Sequence, residues 1–255
     1  METAERMSGR NRAAWEHRAY DFWIQLNGTP QKAGKDMRAD PRKWLRRHLD
    51  LMGDVGGRDI VVPLGSNGRK AVPLAVLGAR VTVIDISREN GRYAAELAAA
   101  AGVALEYVVA DYASCDLSRF EGRFDIAYME GGVLHYFGDL DALFDRTRKL
   151  LRAGGCLVLN DFHPFRKCVD GAVPTDGDYF DADLHDAPVA YEDLLHGADK
   201  ASMPKCLLRY WTLGEIVTGI AKSGLRIERM RETPYLTRPK IPGDFTIVAR
   251  AMDAP

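Results

Sequence analysis

The chain has 255 residues, 46% of them hydrophobic and 28% charged, which is enough for one α/β domain with additions. Its formal net charge of -1 excludes an overall field that would attract nucleic acid or anionic membranes, and no apolar run approaches the ~20 residues that cross a bilayer. Four cysteines without close spacing indicate reduced thiols, and the N-terminal region has no apolar signal core, so we expect a cytoplasmic protein.

Residues 1–52 predict a helical cap. Residues 1–10 are polar and are expected to fray. From Asn11, a candidate helix cap, the apolar residues recur at helical spacing and form one stripe, which is more often a packing face than a binding surface. The stripe comprises Trp15, Ala19, Phe22, Trp23 and Leu26. Residues 31–40 are expected to form a charged loop, and residues 41–51 predict a second helix with proline at its first position.

The stretch 59–85 predicts a strand, a glycine turn, a helix and a second strand. Residues 59–64 are a short apolar run typical of a strand buried on both faces. Gly65-Ser66-Asn67-Gly68 follows, and glycine permits positive φ and close approach of a ligand to the backbone. Asp85 closes the second strand. This is one βαβ half of a nucleotide-binding sheet, in which the acid accepts ribose hydroxyls, although an ordinary βα turn remains the alternative.

Apolar runs further along the chain predict three more strands, at residues 105–109, 124–129 and 156–160. They alternate with predicted helices at 87–101 and 139–151, and this alternation predicts a parallel, doubly wound sheet. Ligands of such sheets lie beyond the carboxyl ends of the strands. The polar residues at the strand ends should therefore converge on one crevice: Gly65, Asp85, Asp111, Glu130 and Asp161.

Residues 166–205 break this alternation. Nine acidic residues and no lysine or arginine lie between Asp170 and Asp199, which predicts either a lid over the crevice or a solvated acidic loop. Residues 212–223 predict a helix with a capping box. Two late strands, at 225–231 and 245–250, are joined by a proline-rich loop and should form an antiparallel pair at one sheet edge, giving seven strands in all.

Taken in order, these motifs resemble those of the class I S-adenosylmethionine-dependent methyltransferases. In this chain, VVPLGSNG resembles the family's first motif and VTVIDIS its second. VVADY resembles the third motif, FDIAYMEGGVLHYF the fourth, and LLRAGGCLVLNDF the glycine turn and fifth strand. The resemblance covers residues 11–162 and the terminal hairpin. It implies a Rossmann-like fold, S-adenosyl-L-methionine as cofactor and S-adenosyl-L-homocysteine as product.

The resemblance also implies which residues hold the cofactor. Asp85 would bind the ribose, Asp111 the adenine amino group, and Tyr112 would flank the adenine ring. An aromatic residue of the N-terminal helix would reach the methionine part. The predicted cofactor site comprises Tyr20, Gly65, Ser66, Asn67, Gly68, Asp85, Ile86, Asp111, Tyr112, Glu130 and Gly131.

Two positions depart from the family pattern. Pro63 stands where an acidic residue usually precedes the first glycine, and Asn67 replaces the middle glycine. We expect Tyr20 or another N-terminal residue to replace the lost link to the cofactor's amino group. Two alternatives stay open: a nicotinamide-dependent oxidoreductase, because Asp85 also suits the ribose of NAD, and a catalytically inactive cofactor-binding module.

Methyl transfer is an in-line displacement on a carbon already activated by the sulfonium charge. Holding the acceptor in line supplies most of the acceleration, and a protein base is needed only if the acceptor keeps its proton. The candidate catalytic residues are His135, His163 oriented by Asp161, and Tyr20, each of which could instead be a packed structural side chain. No metal is expected, because Asp161, His163 and Cys168 follow no ligand pattern.

The acidic insertion would attract a cationic acceptor to the crevice. We expect a small molecule, such as an amine, an indole-like compound or a natural product, or a short peptide. The sequence has no basic patch with interleaved aromatic residues, so we do not expect a nucleic-acid substrate. The expected organisation is a cap at 1–52, a catalytic domain at 53–165 and 206–255, and a substrate insertion at 166–205, in a monomer or homodimer.

Overall fold

The computed structural model describes residues 2–45, 48–169, 173, 175–192, 200 and 202–252. The described helices are α1 Glu2–Glu16, α2 Ala19–Asn27, α3 Pro30–Ala39, α4 Pro41–Leu45, α5 Leu49–Met52, α6 Ala71–Val76, α7 Arg88–Ala101, α8 Leu140–Leu150 and α9 Leu213–Lys222. The strands are β1 Asp59–Pro63, β2 Arg80–Asp85, β3 Glu106–Val109, β4 Phe124–Glu130, β5 Leu151–Phe162, β6 Leu184–Ala187, β7 Cys206–Arg209, β8 Leu225–Tyr235 and β9 Arg238–Ala251. Short 3-10 helices cover Ser118–Phe120, Leu134–Tyr136 and Pro164–Cys168.

Seven strands form one sheet in the order β3-β2-β1-β4-β5-β9-β8. The first five strands are parallel, whereas β9 runs antiparallel to β5 and β8 antiparallel to β9. The doubly wound, mostly parallel sheet with an antiparallel pair at one edge is therefore confirmed. The strand order reverses between β1 and β4, and the crevice at such a switch point is where ligands of this architecture bind.

The central strands and the helix after β2 form where the residue pattern predicts them. Four of the five β1 residues are buried, and β2 is buried from Val81 to Asp85, as expected for strands covered on both faces. Ser87 caps α7 by accepting a hydrogen bond from the Asn90 amide, and Gly102 ends that helix in the left-handed conformation. These signals are local, so the sequence alone is sufficient to find them.

The N-terminal region departs from the prediction of one helix beginning at Asn11. The chain forms two helices, α1 and α2, which are separated at Arg18, a non-glycine residue with φ of 52°. Residues 2–10 are helical rather than frayed. Asn11 lies inside α1 and caps nothing, because its side chain binds the backbone of Leu207 in β7.

The predicted charged loop at residues 31–40 is also wrong, because α3 occupies it. Thr29 caps α3 by accepting a hydrogen bond from the Lys32 amide. The buried face consists of small or flexible residues, Ala33, Gly34 and Met37, and so gives a weak hydrophobic signal. Helix α4 begins at the predicted proline, and α5 follows as a separate helix, while residues 46 and 47 of the predicted long helix lie outside the described residues.

The terminal hairpin is longer than predicted. The proline-rich segment is not a loop, since Pro234 pairs with Pro242 and Tyr235 with Arg238 across β8 and β9. The acidic insertion contributes β6, which pairs with β7 in a separate two-stranded sheet. Residues 170–172, 174 and 193–199 of that insertion lie outside the described residues. Among the described helices, none combines the length and the apolar character needed to cross a lipid bilayer.

Candidate active site

A cavity of about 460 Å³ lies at the carboxyl ends of β1, β2, β3 and β4. Its volume falls within the usual range for small-molecule pockets, and its place is the switch point of the sheet. The cavity is lined by Ser8, Asn11, Trp15, Trp23, Val62, Pro63, Leu64, Gly65, Ser66, Asn67, Arg69, Lys70, Ile84, Asp85, Ile86, Asp111, Tyr112, Ala113, Tyr128, Glu130, Gly131, Gly132, Val133, Tyr136, Phe137 and Ala190. Four of the five predicted strand ends therefore converge here, at Gly65, Asp85, Asp111 and Glu130, whereas Asp161 lines a second cavity instead.

The turn after β1 is strained. Leu64 and Ser66 adopt φ of 52° and 47°, which non-glycine residues rarely do outside functional sites. The two glycines of the turn serve packing: a Cβ at Gly65 would lie 2.8 Å from Val83 Cγ1, and one at Gly68 2.9 Å from Ala94 Cβ. Gly68 does not line the cavity. The turn is therefore pressed onto β2 and α7, which fixes where its polar residues lie.

Two polar side chains of this turn have unused hydrogen-bonding atoms. Ser66 Oγ and Asn67 Nδ2 are buried and find no hydrogen-bond partner among the described residues. The Asn67 carbonyl oxygen accepts from the Arg69 amide, 3.3 Å away, so the side chain is oriented while its amide nitrogen is unpaired. Burying an unpaired polar atom costs about 1–3 kcal/mol. Such atoms in residues that line a cavity are suited to a polar ligand.

Asp85 is buried and already accepts three hydrogen bonds. The donors are the Ser66 amide at 2.9 Å, the Ser87 amide at 3.0 Å and Asn90 Nδ2 at 3.2 Å. Burial raises the pKa of the Asp85 carboxyl, and these hydrogen bonds oppose that effect. A carboxylate has about four acceptor sites, so Asp85 has room for about one more donor, not for both ribose hydroxyls. Its first role is to tie the turn after β1 to the start of α7.

The end of β3 places Asp111 and Tyr112 at the cavity. Asp111 accepts hydrogen bonds from the Ala113 amide and the Ser114 hydroxyl, both at 2.9 Å. Tyr112 is buried with its hydroxyl 3.0 Å from Thr147 Oγ1, and burial raises the pKa of its phenol. The hydroxyl of Tyr112 is thus engaged in the core, and only the rest of the residue can contact a ligand.

The opposite end of the cavity carries two cations that the sequence analysis missed, Arg69 and Lys70. Lys70 Nζ lies 3.0 Å from Glu130 Oε1 and donates to the Trp44 carbonyl at 3.0 Å. Arg69 Nε is buried without a hydrogen-bond partner among the described residues, and its guanidinium lies 5.2 Å from the Trp44 ring centroid. The sequence does contain a signal for this part of the site, because two cations follow directly after the glycine turn. They look like exposed residues at the start of a helix, which is why pattern reasoning passes over them.

Helix α1 covers the cavity from the side opposite the sheet. Asn11 Nδ2 donates to the Leu207 carbonyl at 3.2 Å, and Asn11 Oδ1 accepts from the Leu207 amide at 2.8 Å. The Tyr191 hydroxyl donates to the Ala14 carbonyl at 2.7 Å. Trp15 packs edge-on against Tyr136, with ring centroids 6.0 Å apart. The N-terminal aromatic residues therefore do reach the cavity, through Trp15 and Trp23.

Tyr20, predicted both as a cofactor ligand and as a catalytic residue, does not line the cavity. Its hydroxyl donates to Glu96 Oε2 at 2.6 Å, and the Arg92 guanidinium lies 3.9 Å from its ring centroid. The left-handed break at Arg18 separates α1 from α2 and leaves Tyr20 packed against α7. The structure therefore contradicts the expectation that Tyr20 replaces the missing acidic residue at position 63.

His135 and His163 do not line the first cavity but a second one of about 200 Å³. Burial lowers the pKa of His135 to about 4. His163 Nε2 lies 2.8 Å from Glu232 Oε1, and His163 Nδ1 accepts from the Phe165 amide at 3.0 Å. Burial lowers the pKa of His163, and Glu232 partly offsets this effect.

The predicted pair of Asp161 and His163 does not exist. Asp161 Oδ2 accepts from the Val133 and Leu134 amides, both at 2.9 Å, and Oδ1 from the Phe162 amide at 2.6 Å. Burial raises the pKa of Asp161 to about 6. Its carboxylate holds the chain after β4 in place, so it cannot orient the His163 ring.

Comparison with known proteins shows which domain and which fold this chain resembles. Residues 64–155 match the family model of a methyltransferase domain. The fold is similar to that of magnesium protoporphyrin IX methyltransferase from Synechocystis PCC 6803 with bound SAH. The two share 18% sequence identity, the match covers 95% of this chain and 98% of that chain, and the TM-score is 0.62. An S-adenosylmethionine-dependent methyltransferase from Mesorhizobium loti is also similar. It shares 23% sequence identity, the match covers 81% of this chain and 97% of that chain, and the TM-score is 0.60.

A third structure, of a SAM-dependent methyltransferase from Methanosarcina mazei, shares 21% identity over 78% of this chain and 94% of that chain, with a TM-score of 0.58. No curated protein matches the chain. The family match covers the glycine turn and the ends of β2, β3 and β4, where the cavity lies. The matched residues thus resemble a methyltransferase domain, and the fold is one shared with the class of S-adenosylmethionine-dependent methyltransferases. The match favours this class over the nicotinamide-dependent alternative.

Proposed function

We propose that this enzyme methylates a small-molecule acceptor by in-line displacement, with the cofactor held in the 460 Å³ cavity. The observation that carries the proposal is the group of unsatisfied polar atoms in residues lining that cavity. Ser66 Oγ, Asn67 Nδ2 and Arg69 Nε are buried without partners among the described residues, at the switch point where this fold binds ligands.

The charges along the cavity support one orientation of the cofactor. Asp85 and Asp111 present carboxylates at the β2 and β3 ends, where ribose and adenine would lie against Ile86. Arg69, Lys70 and Glu130 lie at the other end, and this mixture of charges suits the carboxylate and the amino group of the methionine part. The bound cofactor supplies a methyl group on a sulfonium centre.

Positioning supplies most of the rate in this proposal. An imidazole with a pKa of about 4 is a weak base at neutral pH, so His135 contributes little as a proton acceptor. An aromatic wall, formed by Trp15, Tyr136 and Phe137, can exclude water and orient the acceptor. An acceptor that must lose a proton releases it to solvent.

The acidic insertion gives less support for a cationic acceptor than its sequence implies. Asp186 pairs with Arg10 at 2.8 Å, Asp181 with His185 at 2.8 Å, and Glu192 with Lys205 at 2.5 Å. The first pair joins the insertion to α1 and the other two lie within it, while Arg10 and Lys205 neutralise part of its charge. We therefore retain the proposed plan of an N-terminal cap, a catalytic domain and a substrate insertion, with the insertion acting as a structural cover.

The test is calorimetric titration with S-adenosylhomocysteine, repeated with NAD. We expect micromolar binding of the first and none of the second. Lys70→Met should weaken S-adenosylhomocysteine binding about 10- to 100-fold, because a charge-assisted hydrogen bond contributes about 1.5–3 kcal/mol. Lys222→Met is the matched control, since Lys222 pairs with Asp141 on an exposed helix outside the cavity. Equal affinities of the two variants, or no binding by the unmodified protein, would remove the proposal.

A further inference from the structure

The second cavity lies next to the first and has a different character. It is lined by Leu134, His135, Asp161, Phe162, His163, Pro164, Arg166, Lys167, Val173, Tyr210, Trp211 and Ile216. Most of these residues are aromatic or apolar, and two are cations. The cofactor assignment above uses none of them.

Two rings of this cavity form the sides of a slot. His135 and Phe162 are nearly parallel, with an interplanar angle of 12° and centroids 6.4 Å apart. Tyr210 lies beside them, its ring centroid 6.2 Å from that of His135. Phe162 is 47% exposed, so its side chain is accessible to a ligand. Their centroids are too close for a third ring to stack between them, but their flat faces and edges suit a planar ring packed against them.

Gly132 lies between the slot and the cofactor cavity. It lines the first cavity, and a Cβ at this position would lie 2.6 Å from Phe162 Cε2 and 2.9 Å from His135 Cε1. Its φ of +82° also disfavours any side chain. The edge of the slot and the cofactor cavity are therefore separated at this point by glycine backbone alone.

The cations give the slot a charge preference. The Lys167 side chain is buried, and its Nζ donates to the carbonyls of Asp181 and Tyr210 at 3.3 and 3.4 Å. Of the described carboxylates, none lies within ion-pair distance of this ammonium group. The Arg166 guanidinium lies 4.4 Å from the Phe162 ring centroid. The lining carboxylate, Asp161, is occupied by backbone amides.

We propose that this second cavity seats the methyl acceptor, and that the acceptor is a planar aromatic acid. Its ring would lie against His135 and Phe162, its carboxylate towards Lys167 and Arg166, and its nucleophilic substituent past Gly132. The proposal rests on the methyltransferase function given above. In the reaction, a bond forms between the acceptor's oxygen or nitrogen and the methyl carbon. The sulfur–methyl bond breaks and leaves its electron pair on sulfur, and the acceptor's proton passes to water.

The test uses salicylate and salicylamide, two probes of similar size that differ in charge. Their binding to the protein saturated with S-adenosylhomocysteine is measured by ligand-observed NMR titration. We expect salicylate to bind at least about tenfold more tightly. Phe162→Leu should weaken both probes several-fold, whereas Phe180→Leu, at an exposed position outside both cavities, should change neither. Lys167→Met should remove the preference for salicylate and leave salicylamide unchanged.

The outcomes separate the two proposals. If S-adenosylhomocysteine binds but the two probes bind equally, or neither binds, the aromatic-acid acceptor is wrong and the methyltransferase site stands. Equal effects of the Phe162 and Phe180 variants would also overturn it. If Lys167→Met does not fold, because its contacts with two carbonyls are structural, the paired phenylalanine variants still decide the question.

Discussion

Individual acidic residues at the strand ends have tasks that their positions alone do not reveal. Asp85 lies at the carboxyl end of β2 and Asp161 near that of β5, and each uses three acceptor sites for protein donors. An unpaired backbone amide in a buried turn is costly, so a carboxylate that satisfies several amides contributes to the shape of the site before it touches any ligand. Glu130, by contrast, pairs with Lys70 and so presents a charge pair to the cavity.

Tyr20 tests the corrected position of α2. Tyr20→Phe removes the hydrogen bond to Glu96 and should lower the free energy of unfolding by about 1 kcal/mol. Because the residue lies outside both cavities, the affinity for S-adenosylhomocysteine should stay within about twofold of its original value. Calorimetry and urea denaturation measure the two quantities. A tenfold loss of affinity with unchanged stability would restore Tyr20 to the site.

His135 makes stability depend on acidity. Its pKa falls from the usual 6.5 to about 4 in the folded protein, so between these values the unfolded chain binds more protons than the folded one. Stability should therefore fall as pH is lowered from about 6.5 to about 4, by at most about 3 kcal/mol from this residue. Burial raises the pKa of Asp161, which has the opposite effect on stability over an overlapping range.

The contribution of His135 is isolated by comparing variants. The free energy of unfolding is measured by urea denaturation at pH 7 and at pH 4. The drop between the two pH values should be smaller for the His135→Asn variant than for the unmodified protein. His17→Asn, at a histidine outside both cavities, is the control and should behave like the unmodified protein. Parallel losses in all three proteins would show that His135 titrates normally.

At the scale of elements, the sheet is predictable and its cover is not. Strands β1 and β2 are runs rich in the β-branched residues valine and isoleucine, and Ser87 and Gly102 mark the ends of α7. Each of these elements therefore carries a local sequence signal. The first part of helix α1, residues 2–10, is polar and predicts fraying, but the helix is stabilised by contacts with β7, which lies far along the chain. Tertiary contacts of this kind override local propensity and leave little trace in a local pattern.

Asn11 tests how α1 is held. Asn11→Ala removes two buried hydrogen bonds to Leu207 and leaves its amide and carbonyl unpaired, which should cost about 1–3 kcal/mol. We expect faster amide hydrogen exchange in α1 and weaker binding of S-adenosylhomocysteine, because α1 covers the cavity. Arg12→Ala changes the adjacent exposed residue and serves as control. If exchange in α1 is equal in the two variants, Asn11 does not hold the helix.

At the scale of the whole molecule, topology locates the first cavity and leaves the second one hidden. Parallel strands whose order reverses at β1 and β4 place four strand ends together, and the alternation of elements is enough to foresee this. The second cavity is assembled from residues 134–135, 161–167 and 210–216, which belong to segments with no common motif. Their convergence depends on side-chain packing that a single sequence does not specify.

The two hydrogen bonds from Asn11 to Leu207 join residues 196 positions apart. A ribosome adding roughly 5–20 residues per second needs on the order of 10–40 s to pass from one to the other. During that time the strand ends from β1 to β4 can assemble while the amphipathic cover has no partner. The newborn enzyme thus passes through a stage with an open cofactor cleft and an exposed Trp15, a stage at which early cofactor binding or a chaperone would have the greatest effect on yield.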